Sequence, residues 1–224
     1  MIHRSETLAL QTVEDFLTPE ELTRLRKFMD DELHTTGWAP HFEADVLPAP
    51  PLAQEILGQA ITRALPAIRR ALPSIESAAP WSYTELTAGQ RVPTHLDGIP
   101  DPGPVACRLG RIGVVLDEPE AGGEFYVETT SSDQVWSGEC VGEFQGFLPG
   151  TPLALRNPHA SLPDIHQHDS EPAWLTSASR TRWTTDAGPG TAVAYGAHLI
   201  HGVRPVRTGR LRKFVTDLLT GSAL

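Results

Sequence analysis

From Pro80 onward the chain reads as short runs of β-forming residues divided by turn signals, and this cadence constrains the fold more than any other feature. The runs cover residues 81–86, 111–116, 124–128, 191–195 and 211–218. Between them lie Ala88-Gly89, Gly98-Ile99-Pro100, Ala121-Gly122-Gly123, Gly188-Pro189-Gly190 and Thr208-Gly209. Strands at this spacing predict a β-sandwich or jelly roll. The 19 Gly and 20 Pro among 224 residues exceed the usual share of about one in eight, as a turn-rich chain requires.

The first third has a different texture. Thr18-Pro19-Glu20-Glu21 combines a threonine N-cap, proline at the first helical position and a glutamate placed to close a capping box. Leu22, Leu25, Phe28 and Met29 follow at helical spacing. A second helix is predicted over 52–65, bent or ended by Pro66, with 67–72 continuing it. Residues 129–186 keep neither pattern, yet hold Trp136, Trp174 and Trp183. A long stretch of weak regular signal inside a domain is usually functional, and its tryptophans argue against disorder. The expectation is one α+β, mainly β domain over 1–224. It has a helical part at 1–79, a jelly-roll core at 80–128 and 187–219, and an insertion or lid at 129–186.

The formal charge of −10 argues against a nucleic-acid partner, because binding phosphates requires a basic face. No run of 18 apolar residues is present to span a membrane, and Met1 to Glu6 lacks the apolar stretch of a signal peptide. Two cysteines, Cys107 and Cys140, form no disulfide framework, so a reduced, cytoplasmic setting is expected. With no basic or histidine neighbour in sequence, each reads as a small buried hydrophobe rather than a nucleophile.

The chemistry starts from His95-Leu96-Asp97. On a strand, residues two apart share a face, so this imidazole and carboxylate can hold adjacent positions on one metal ion. Two histidines and one carboxylate on one face of an octahedron, the third ligand arriving from a distant strand, is the arrangement of non-heme Fe(II) oxygenases. An H-x-D triplet alone arises by chance in about one of two chains of this composition, and its bland reading is a turn-capping Asp97 beside a surface His95. A second element adds weight. Gly188-Pro189-Gly190 feeds an apolar strand that leads to His201, and a run with Arg210, Arg212 and Lys213 returns beside it. A guanidinium there can pair with a carboxylate close to the metal.

Taken together, these pieces resemble the iron(II)/2-oxoglutarate-dependent dioxygenases, in their prolyl-hydroxylase-like branch. Gly89, Pro93, His95, Asp97 and Gly98 match the run ending in H-x-D-G, and Ala121-Gly122-Gly123-Glu124-Phe125 matches the G-G-E-F-type turn. Pro189-Gly190 with 192–195 matches the P-G segment. His201-Gly202-Val203, Pro205-Val206 and Gly209-Arg210 match the H-G-V-x-P-V ending. The resemblance implies a double-stranded β-helix of the jelly-roll, cupin-like kind. It implies Fe(II) held by His95, Asp97 and His201, with 2-oxoglutarate and O₂ as cosubstrates. It also implies an arginine on the far carboxylate of the 2-oxoglutarate. The usual position falls on Leu211, so Arg210 is preferred and Arg212 is the alternative, while Tyr83 is a further cosubstrate candidate. Because Asp97 is a carboxylate, the resemblance points to hydroxylation or a related oxidation rather than halogenation, with succinate and CO₂ released.

The expected substrate is a small molecule such as an amino acid or natural-product intermediate. The alternatives are a prolyl or other peptidyl substrate, a cupin-like metalloprotein that does not use 2-oxoglutarate, and a non-catalytic binding module. His166, His168 and Asp169, with His159, form a second metal-ligand cluster whose plainer reading is a polar loop. His41-Phe42-Glu43 reads as surface, and His198 lacks the continuation that marks His201. In the insertion, the three tryptophans and Arg156, Arg180 and Arg182 suit a lid over substrate or simple packing of the excursion.

Overall fold

The computed structural model describes residues 4–40, 45–97, 107–130, 154–155 and 180–221. After one turn, α1 (Arg4–Thr7), strand β1 (Leu10–Val13) leads into helix α2 (Pro19–Thr36). The capping box closes as its residues predict. Thr18 Oγ1 accepts from the Glu21 N–H at 3.2 Å, and the Glu21 carboxylate accepts from the Thr18 N–H at 2.9 Å. Strand β2 (Val46–Pro48) precedes α3 (Pro51–Ile68). Pro66 does not end α3: it sits in the last turn, where little of the ladder remains to be broken.

The remaining strands are β3 (Ser77–Ala78), β4 (Ser82–Thr87), β5 (Val92–Leu96), β6 (Arg108–Asp117), β7 (Ala121–Gly122), β8 (Phe125–Thr130), β9 (Ala154–Leu155), β10 (Arg180–Thr184), β11 (Ala192–Gly196), β12 (His201–Val203), β13 (Val206–Thr208) and β14 (Arg210–Leu219). They form a seven-stranded sheet in the order β1-β11-β6-β14-β4-β2, with β3 on β14. A five-stranded sheet runs β10-β8-β12-β5-β9, and β13 pairs with β7. Every pairing is antiparallel.

Side-chain alternation gives the seven-stranded sheet two buried faces. Ile112, Val114 and Leu116 of β6, Phe214 and Leu218 of β14, and Tyr83 of β4 pack outward into one cluster. Leu25 and Met29 of α2 join it, as do Ala53, Ile56, Leu57, Ala60, Ile61, Ala64 and Ile68 of α3. The α3 residues recur every three or four positions, so one helical stripe is covered. The inner face meets the five-stranded sheet: Leu86 and Leu211 pack with Val203 and Val206, and Val92, Val115 and Phe125 close round them.

Two expectations change. Strands β1 and β2 lie within the stretch read as helical, each paired to the edge of the larger sheet. They are three and four residues long, too short to show a period. The 129–186 excursion supplies two strands of the five-stranded sheet: in β10 Arg180 pairs with Thr130 and Thr184 with Tyr126, and β9 pairs with β5. Two glycines of the quoted motifs are required by space. A Cβ on Gly202 would stand 2.5 Å from Tyr126 Oη. Gly122 has φ +79° and faces the Pro205 carbonyl at a distance no Cβ tolerates. Among the described residues, no helix is long and apolar enough to cross a membrane.

Candidate metal centre

His95 on β5 and His201 on β12 are direct cross-strand partners. Facing Cβ atoms across such a pair lie about 5 Å apart, so two imidazoles on one face must meet. Their ring centroids are 4.3 Å apart. Asp97 follows β5 immediately, its backbone N–H held by the Ala197 carbonyl at 3.0 Å. One Asp97 oxygen lies 3.6 Å from His95 Nε2 and the other 3.9 Å from His201 Nε2. A donor atom from each of the three residues falls within 4.8 Å of the others, and all three side chains are buried.

The backbone sets the imidazole tautomers. His95 Nδ1 lies 2.8 Å from the Pro93 carbonyl and His201 Nδ1 2.8 Å from the Leu199 carbonyl. A carbonyl only accepts, so each Nδ1 carries a proton and each Nε2 is the ring atom turned toward Asp97. Asp97 Oδ2 is buried and receives no hydrogen bond. A buried carboxylate oxygen without a hydrogen-bond donor, set beside two imidazoles, is costly unless a cation completes the group. Burial alone would raise the Asp97 carboxyl, but the Arg111 guanidinium and the two imidazoles hold it well below the usual carboxylate range. Burial, reinforced by His95, pushes His201 down to about 3, so it is neutral and free to ligate at ordinary pH.

Behind Asp97 stands a charged layer that the sequence reading did not single out. Arg108 donates to the Asp97 backbone carbonyl at 2.8 Å, and Arg111 Nη1 lies 3.5 Å from Asp97 Oδ1. Asp217 of β14 holds both arginines, at 3.6 Å and 3.1 Å. Lys213, two rungs along the same inward row of β14, feels both Arg111 and Asp97. Burial first, and Arg111 second, push its ammonium down to about 8, against the pull of Asp97. Tyr195 and Phe125 wall the other side, with ring centroids 4.4 Å and 5.6 Å from His201. Burial and the Asp97 charge both raise the Tyr195 phenol, so it stays protonated.

The structure brings His95, Asp97 and His201 together and leaves the other three predicted residues elsewhere. Arg210, Arg212 and Tyr83 lie on the outward, helix-facing side of their strands. Arg212 donates to Tyr83 Oη at 2.9 Å and pairs with Asp117 and with Asp30 of α2, each at 2.8 Å. Tyr83 donates to Glu85 at 2.7 Å and packs edge-on against Trp38 and Phe214. Arg210 is half-exposed, 3.7 Å from Glu85. Alternation thus turns Arg210 and Arg212, the residues expected for a guanidinium clamp, away from the ligand trio, and turns Lys213, next to Arg212, toward it. His198 is apart from the trio, and its imidazole is lowered by burial. Cys107 is buried beside Thr220, as a small hydrophobe should be. The expectations for His41, Glu43, Gly98, Trp136, Cys140, Arg156, His159, His166, His168, Asp169 and Trp174 lie outside the described residues.

No protein-family model matches the chain, and no curated protein does. Solved structures do share its fold. A viral collagen prolyl hydroxylase from Paramecium Bursaria Chlorella virus-1, solved with 2-oxoglutarate, is 14% identical over 97% of this chain and 99% of its own, with a TM-score of 0.55. A Pseudomonas putida prolyl-4-hydroxylase is 15% identical over 95% and 93%, again at 0.55. The epimerase SnoN, solved with Fe3+, alpha ketoglutarate and nogalamycin RO, is 14% identical over 96% and 80%, at 0.59. The neighbours are thus prolyl hydroxylases and other 2-oxoglutarate/iron oxygenases, and at these identities the likeness is one of fold.

Proposed function

We propose that this protein is an Fe(II)- and 2-oxoglutarate-dependent oxygenase built on a double-stranded β-helix, and that it hydroxylates or otherwise oxidises a C–H bond of a small molecule. One observation carries the reading: two buried imidazoles and an ionised carboxylate converge within 4.8 Å, and Asp97 Oδ2 among them has no hydrogen-bond partner. That donor set suits a ferrous ion with open coordination positions. The fold neighbours solved with 2-oxoglutarate, one of them also with Fe3+, support the same assignment. With O₂ and the keto acid, a bound iron supplies the oxidising power, and succinate and CO₂ leave.

The chain's own residues prepare that chemistry. His95, Asp97 and His201 would hold the metal. Asp97 and His201 do not have to lose a proton first at neutral pH, because Arg111 keeps Asp97 ionised and burial keeps His201 neutral. The Pro93 and Leu199 carbonyls fix the ring orientations. Arg108, Arg111 and Lys213 face two carboxylates, Asp97 and Asp217, so the layer has a cationic excess that a divalent ion enlarges. A dianionic keto acid is the ligand that relieves it, with Lys213 on its far carboxylate in place of Arg210 or Arg212. Phe125 and Tyr195 keep water from the His201 side.

The test is anaerobic addition of Fe(II) and then 2-oxoglutarate. A weak visible charge-transfer band is expected in the wild type and not in His201→Ala. With O₂ admitted, succinate should accumulate in the presence of substrate. Iron uptake with no band on adding 2-oxoglutarate would instead favour a metalloprotein that does not use the keto acid.

A further inference from the structure

On the five-stranded sheet, Trp183, Val127, His201 and His95 are successive cross-strand partners, so they form one row across four strands. Residues opposite one another in register share a face, and that face carries the imidazoles. Adjacent strands lie about 4.8 Å apart, which sets Trp183 roughly 10 Å from His201 along the row. Trp183 is 62% exposed, the only aromatic among the large exposed hydrophobics of the described residues. It lies on β10, the edge strand of that sheet, two strands from His201.

The strand that presents it is anchored from behind. Arg182 points to the opposite face, where its Nε donates to the buried Glu128 at 3.0 Å and its guanidinium covers the Tyr126 ring at 4.4 Å. Alternation then turns Thr181 and Trp183 of β10, and Phe125, Val127 and Thr129 of β8, toward the inner side. None of these five is charged. Among the described residues, the charges of the inner face, Arg108, Arg111, Lys213, Asp97 and Asp217, are engaged with one another or with the cosubstrate side.

We infer that Trp183 is a specificity-determining residue: a stacking platform for a neutral, planar ring of the substrate, held about two strand spacings from the oxidised carbon. This rests on the oxygenase reading of the metal centre and narrows its substrate class. A flat indole rewards a ring that stacks face to face, and a wall whose described residues carry no charge penalises a ring that carries one. A free amino acid, with two charges to satisfy, is a poor match for this wall.

The test uses protein loaded with Mn(II) and 2-oxoglutarate, which does not turn over, and 2-naphthol as probe. A naphthol stacked on Trp183 lies close enough to the metal for Mn(II) to broaden its proton resonances, whereas Zn(II) leaves them sharp. In Trp183→Ala the dissociation constant should rise about tenfold, the size expected for one aromatic stack, and Trp183→Phe should restore most of it. Naphthalene-2-carboxylate and N-acetylproline methylamide should bind at least about tenfold more weakly than the naphthol. The iron–2-oxoglutarate band, retained in Trp183→Ala, verifies an intact centre. Equal naphthol binding by wild type and Trp183→Ala overturns the inference, as does binding of the carboxylate or the prolyl amide as tightly as naphthol. Absence of the band in the wild type fails the oxygenase reading itself and this inference with it.

Discussion

The two faces of the seven-stranded sheet use the same charged chemistry for opposite ends. Outward, Arg212 joins Tyr83, Asp117 and Asp30, and so ties helix α2 to strands β4, β6 and β14. Inward, one residue further along β14, Lys213 faces Arg111 and Asp97 at the candidate metal centre. One position on a strand separates a cation that holds the fold together from one that can serve the reaction. Substitutions on the two faces should therefore fail in different ways, folding on one side and ligand binding on the other.

The largest effect is expected at Asp97. Asp97→Ala removes the only anionic ligand and leaves the Arg111 guanidinium beside the metal position without the carboxylate it faces. Iron binding, followed by the charge-transfer band and by metal content after dialysis, should fall by at least about 100-fold. Retention of stoichiometric iron would remove Asp97 from the ligand set.

Next comes the crossed pair Lys213→Ala and Arg212→Ala. Losing the ammonium should weaken 2-oxoglutarate binding by about 10- to 100-fold, as expected for one charge-assisted contact, with little change in Tm. Losing Arg212 should cost about 2 kcal/mol, below the range for fully buried pairs because Asp30 and Asp117 keep some contact with water. In a chain of this size that lowers Tm by roughly 4–8 °C, while 2-oxoglutarate affinity holds. The reverse pattern in thermal melts and titrations would return the clamp to Arg212.

Lys213 also gives the inner face a pH dependence. Its ammonium titrates at about 8 in the folded protein, and only the charged form attracts a carboxylate. Affinity for 2-oxoglutarate should therefore be steady below pH 7 and fall as pH rises through about 8, by up to tenfold per pH unit until the complex also loses the proton. Lys213→Arg, whose guanidinium stays charged, should flatten the profile. A flat profile in the wild type would mean that this ammonium does not touch the cosubstrate. A smaller effect, about tenfold in metal affinity, is expected for Asp217→Asn, because Asp217 acts on Asp97 only through the two arginines it holds.

What was readable in the residues follows the same division. The H-x-D spacing, the capping box and the Gly-Pro punctuation are local, and each forces a short-range geometry that the structure keeps. His201 was reachable because its Gly-Val-x-Pro continuation places it on a strand, and the structure makes that strand the partner of His95. The face taken by Arg210, Arg212 and Lys213 was not readable. On a strand buried on both sides, apolar residues fall on either face, and Phe214 and Val215 give no hint of which side is which. Arg111 was hidden for the same reason, as the first residue of an otherwise apolar run. Tyr83 is a cosubstrate candidate because the resemblance places a tyrosine on the strand before H-x-D; its side of that strand was not readable, and alternation with Thr84 turns it to the helices.

Arg210→Ala is the substitution expected to do least, and it is the sharpest discriminator of the two faces. Arg210 is the position that the motif spacing favours for the clamp. In the structure it is half-exposed, with Glu85 at 3.7 Å and Asp30 at 4.0 Å as its partners, and it lies on the side of β14 that faces the helices. Exposed pairs of that length contribute about 0–1 kcal/mol, so Tm should move by no more than roughly 4 °C. The dissociation constant for 2-oxoglutarate should stay within about twofold of wild type. Should Arg210→Ala instead lose the cosubstrate while Lys213→Ala keeps it, the parity of β14 would have to be reversed. Arg111 and Asp217, which are placed by that same parity, would then have to be reassigned with it.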